Sequence, residues 1–80
     1  MTLERIRDIM ILVFPTVRKE NITERTSRSD IEKWDSLQHL NLIMLLETEF
    51  HVQFTPDEIS SIKNIRDIKR FIEKKTKTDK

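Results

Sequence analysis

Eighty residues, 36% of them hydrophobic, provide for one small domain with one modest core and exclude a second. With no cysteine and no glycine, and with its two histidines at positions 39 and 51, the chain has no disulfide framework, no Cys/His zinc staple and no glycine loop for a phosphate; tight hairpins are also disfavoured, which points to an all-α fold. The formal charge of +1 argues against wholesale nucleic-acid binding, yet it is unevenly laid: residues 1–34 sum to +1, residues 35–62 to −5 without a single Lys or Arg, and residues 63–80 to +5.

Leu3, Ile6, Ile9, Met10, Val13 and Phe14 recur at spacings of three and four, which predicts a first helix over Thr2 to Phe14. Thr2 is its expected N-cap, Glu4 suits the positive helix start, and Pro15 limits the far end. A charged, Thr/Ser/Asn-rich connection follows from Thr16 to Asp35, longer than most connections in a compact domain. Val17, Ile22, Ile31 and Trp34 are its large apolar residues and are expected to pin it to the helices.

The second helix is predicted over Ser36 to Phe50, with too many apolar residues for one stripe. Leu42, Ile43, Leu46 and Phe50 form one face, assigned to the core. Leu37, Leu40 and Met44 form another, which needs a covering element or a partner. His51 suits a left-handed end cap after this helix. Thr55-Pro56-Asp57-Glu58 has the residues of a capping box with proline at the first helical position, so a short third helix starts there. Asn64 can cap a last helix carrying Ile65, Ile68, Phe71 and Ile72. The fold class is thus a small four-helix bundle, three main helices plus a short third one, with a long loop between helices 1 and 2. The domain is expected to span residues 1–75, with 76–80 a frayed basic tail. No apolar run spans a membrane and the N-terminus lacks the pattern of a signal peptide, so the expectation is a cytoplasmic protein.

Asp35-Ser36-Leu37 stands where the long loop meets the second helix. A serine hydroxyl there lies near free backbone N–H groups and the positive helix end, an environment that stabilises a phosphate ester. Simple capping of the helix by Asp35 or Ser36 explains the same residues without any ligand.

The run Trp34-Asp35-Ser36-Leu37-Gln38-His39-Leu40-Asn41-Leu42-Ile43-Met44, followed by Leu46-Glu47, Glu49-Phe50 and Phe54-Thr55-Pro56-Asp57-Glu58-Ile59, strongly resembles the acyl carrier protein family. The resemblance extends over nearly the whole chain, including element order and size. It implies that Ser36 bears 4'-phosphopantetheine through a phosphodiester, the arm's thiol carrying an acyl or aminoacyl group as a thioester. It implies that Asp35 helps engage the magnesium-dependent phosphopantetheinyl transferase. Leu37, Leu40 and Met44 match an apolar recognition face and Glu47 an acid on that face, whereas Asn41 and Thr48 stand where many fatty-acid carriers have further acids. Gln38 and Arg28 also depart from the family's pattern.

The expected protein is therefore a non-catalytic, monomeric carrier without resident metal, a substrate of the transferase and then of an acyl or aminoacyl ligase, an acyltransferase or a ketosynthase. A specialised fatty-acid, polyketide or related biosynthetic pathway suits its modest acidity. The alternative is a helical interaction or nucleic-acid-binding module using Lys63, Arg66, Lys69, Arg70, Lys74, Lys75, Lys77 and Lys80, a set interrupted by Asp67 and Glu73.

Overall fold

The computed structural model describes residues 2–77, with helices α1 (Thr2–Val13), α2 (Ser36–Phe50), α3 (Pro56–Ser61) and α4 (Ile65–Lys77). The predicted periodicities become one core. Ile6, Ile9 and Met10 of α1 meet Leu42, Ile43 and Leu46 of α2 and Ile65, Ile68 and Ile72 of α4, all buried. Phe54 and Ile62, on either side of α3, close the remaining side of this core.

Three local expectations need correction. α1 starts with Thr2 as a helical residue and ends at Val13, one residue before Phe14. The residue before a proline is disfavoured in helical geometry, so Phe14 leaves the helix and packs its ring beside Trp34, with centroids 5.6 Å apart. Phe50 is half-buried, placed at the α1–α2 margin where the Arg5 guanidinium lies 4.6 Å over its ring. α4 continues through Thr76 and Lys77, into the segment expected to fray. Its last turn is held by a hydrogen bond from Thr76 Oγ1 to the Ile72 carbonyl (2.9 Å) and by the Lys75–Glu58 ion pair (2.8 Å). The rest of that expected tail, 78–80, lies outside the described residues.

The long loop is ordered by two 3₁₀ turns, Lys19–Asn21 and Arg28–Asp30. Ile22, Ile31 and Trp34 are buried and Val17 half-buried, so the expected anchors do face the core. The loop also finishes α4: the Ile65 and Arg66 N–H groups donate to the carbonyls of Thr26 (2.8 Å) and Glu24 (3.0 Å), while Asn64 Oδ1 accepts from the Asp67 N–H (2.9 Å). These bonds satisfy N–H groups that a helix start otherwise leaves open. Glu24 adds an ion pair to Lys69 at 3.1 Å. Among the described residues, no helix is long and apolar enough to cross a membrane.

Candidate functional site

α2 begins where the sequence signals it, and Asp35 is the cap. Its extended backbone (φ −94°, ψ −173°) turns Oδ1 onto the Gln38 N–H at 2.9 Å, satisfying one open donor of the first turn. Ser36 is thereby freed from capping and becomes the first helical residue, exposed to solvent. Among the described residues, none hydrogen-bonds its hydroxyl. A phosphate ester on this oxygen would sit at the positive end of a 15-residue helix, so the position suits the attachment of a phosphorylated group.

The segment leading to Ser36 is held from beneath. Trp34 is buried, and its indole Nε1–H donates to His39 Nδ1 at 2.9 Å. An accepting Nδ1 carries no proton, so the ring proton is on Nε2, which donates to the Ile59 carbonyl at 2.9 Å. Burial holds the His39 pKa below its ordinary value; the bond to Ile59 opposes this and the Arg28 charge reinforces it.

Beyond Ser36, α2 turns Leu37 (66% exposed), Leu40 (50%) and Met44 (63%) to solvent. They lie at i, i+3 and i+7, so they form one stripe starting beside the serine. From Ser36 to Leu46 the helix has no Asp, Glu, Lys or Arg. The stripe widens toward α1 through an open groove of about 340 Å³ lined by Leu12, Val13, Gln38, Asn41, Met44 and Leu45.

Comparison with known proteins decides what this arrangement belongs to. A family profile described as "Phosphopantetheine attachment site" matches residues 4–72. An acyl carrier protein of Caulobacter vibrioides is 35% identical over 74 residues, covering 92% of this chain and 94% of the relative. The chain belongs to the acyl carrier protein family. Similar matches are the acyl carrier proteins of Phenylobacterium zucineum, 33% identical over 91% of both chains, and Brachyspira hyodysenteriae, 29% identical over 94% of this chain and 96% of the relative. The cofactor of the family is covalent 4'-phosphopantetheine.

Within this carrier, the residues singled out from sequence do not all share one surface. Asp35, Ser36, Leu37, Leu40 and Met44 are exposed on α2 and its cap. Glu47 is half-buried, its Oε2 accepting the Phe54 N–H at 2.8 Å and tying the end of α2 to the segment that leads into α3. His51 adopts the left-handed conformation (φ 57°, ψ 46°), with its N–H and that of Val52 returning to the Glu47 carbonyl. On α4, Arg66 and Lys69 pair with Glu24, and Lys75 with Glu58, so part of the basic set is occupied within the fold.

Two features of the carrier do not show in the sequence pattern: the bonding of the buried His39 to Trp34 and Ile59, and the contribution of Leu12 and Leu45 to the apolar surface. Leu12 is 72% exposed on the outer side of α1. In the sequence it stands only as a leucine off the core spacing of Ile6, Ile9 and Met10.

Proposed function

We propose that Ser36 is the attachment site of 4'-phosphopantetheine and that the chain is a non-catalytic acyl carrier in the cytoplasm. The observation that carries this reading is the exposed Ser36 hydroxyl at the first position of α2, set free by the Asp35 cap. When bound, the arm supplies a thiol for thioester formation, a group this cysteine-free chain lacks. The protein's own part is to hold the serine at a helix start and to keep a binding surface beside it.

Leu37, Leu40 and Met44 are then the surface that the transferase and an acyl or aminoacyl ligase, acyltransferase or ketosynthase recognise. With no charge between Ser36 and Leu46, apolar contact supplies a larger share of that binding than in acid-rich relatives. The same feature, together with the basic final segment, supports a dedicated carrier of a specialised fatty-acid, polyketide or related pathway. Asp35 remains at the cap, beside the serine and exposed, where a transferase can reach its free carboxylate oxygen.

The test is incubation of the whole chain with coenzyme A, magnesium and a broad-specificity phosphopantetheinyl transferase, read by intact-protein mass. One phosphopantetheine is added to wild type and none to Ser36→Ala. Modification of the alanine variant, or none of the wild type with several active transferases, refutes the assignment.

A further inference from the structure

His39 is the one buried polar residue among the described residues, at 4% exposure. An apolar side chain would fill that place if packing were its whole purpose. Its two nitrogens instead reach different elements. Nδ1 accepts from Trp34, two residues before Ser36, and Nε2 donates to Ile59 in α3. The Trp34 backbone N–H also donates to the Ile31 carbonyl at 3.1 Å, so the side chain that the ring holds belongs to a residue tied into the end of the loop.

We propose that His39 is a positioning residue for Ser36: its neutral ring clamps the loop end to α3, and protonation releases the loop side of the clamp. This rests on Ser36 being the attachment site. A proton added to the ring must go on Nδ1, where it faces the Trp34 N–H, donor against donor. The Nε2–H bond to Ile59 survives the same event, so the opening falls on the side that leads to Ser36.

Among the described residues, the charged groups near the ring offer the added charge no partner. Arg28, from the second 3₁₀ turn, repels it. The Asp35 carboxylate is turned to the Gln38 N–H, and Glu58 on α3 is engaged by the Thr55 N–H and Lys75. Toward α1, Trp34 meets the uncharged ring of Phe14. Burial disfavours the charged form, so the folded protein takes up this proton at lower pH than the unfolded chain, whose histidine titrates near 6.5. The clamp is complete above that pH and is lost as pH falls through the folded-state value.

Two measurements test the inference on the full chain. In ¹⁵N NMR of the unmodified protein, the Trp34 indole signal should move together with the His39 ring titration while helicity is retained, and the movement should vanish in His39→Asn, which keeps an acceptor near the Nδ1 position but cannot titrate. An indole signal that stays still while the ring titrates, or that moves equally in His39→Asn, overturns the clamp; so does loss of the indole and all helical signals in one step.

The second measurement is transferase kinetics across the same pH range, taken as the ratio of wild type to His39→Asn so that the transferase's own titration cancels. If the productive loop conformation becomes a minor state, wild-type KM should rise about fivefold relative to His39→Asn at acid pH with kcat unchanged, the equivalent of one ordinary hydrogen bond. His39→Phe should show the raised KM at every pH; if it loses helicity, the wild-type to His39→Asn ratio still decides. Modified wild type with a pH-independent KM ratio overturns the clamp's positioning role alone. No modification of wild type by active transferases refutes the attachment reading and the positioning role with it, while the NMR titration reports on the clamp itself.

Discussion

Replacing Leu46 by alanine separates the two apolar faces of α2 most sharply. Leu46 is 0% exposed and belongs to the core shared by α1, α2 and α4. Its truncation removes the transfer free energy of a fully buried side chain and leaves a cavity that the packed isoleucines around it can only partly close, a loss of about 2 to 5 kcal/mol. For 80 residues the whole stability is about 4 to 12 kcal/mol, so this one change consumes a large part of it. Leu37 is 66% exposed, leaves no cavity, and should cost less than about 1 kcal/mol on truncation. Half-buried Phe50 should fall between them. The assay is urea denaturation followed by far-UV circular dichroism, comparing midpoints at constant slope. Losses at Leu37 equal to those at Leu46 would refute the division of the helix into a buried and a presented face.

Two further substitutions probe the ends of the same helix. Asp35→Ala should lower stability by about 1 kcal/mol through loss of the bond to the Gln38 N–H, and Asp35→Asn should recover most of it, as read in the same denaturation experiment. Glu47→Ala should leave the Phe54 N–H without its side-chain partner, costing about 1 kcal/mol, with faster amide exchange at Phe54 than in wild type; unchanged exchange there would contradict the assigned bond.

What could be read from sequence was local in origin. The Thr55–Glu58 capping box, the left-handed His51 and the start of α2 at Ser36 each depend on residues within a few positions of one another, and each occurs as expected. The core faces of α1 and α4 follow from spacing alone. The remainder depends on partners distant in the chain. His39 meets Ile59 across twenty positions, and the start of α4 is completed by carbonyls of Glu24 and Thr26. Phe50 continues the spacing of Leu42 and Leu46, but the arrival of Arg5 from α1 determines what covers it. The family resemblance places Glu47 among the recognition residues; that its half-buried carboxylate also accepts from the Phe54 amide depends on the turn that brings residue 54 back to the end of α2. At the candidate site, Ser36 and Asp35 were legible as a pair, but which of the two caps the helix was settled only by the backbone geometry.

The uncharged run from Ser36 to Leu46 bears on which kind of enzyme surface could accept this carrier under the proposed function. An enzyme that recognises its carrier through a basic patch leaves its lysines and arginines unpaired against this stretch of helix, losing water without gaining a counter-charge. An enzyme with an apolar cleft meets no such cost here, yet against a helix lined with carboxylates it would have to strip their water without offering a counter-charge. If partner enzymes read the surface beside Ser36 as proposed, discrimination works in both directions through what α2 omits, without any additional contact being built.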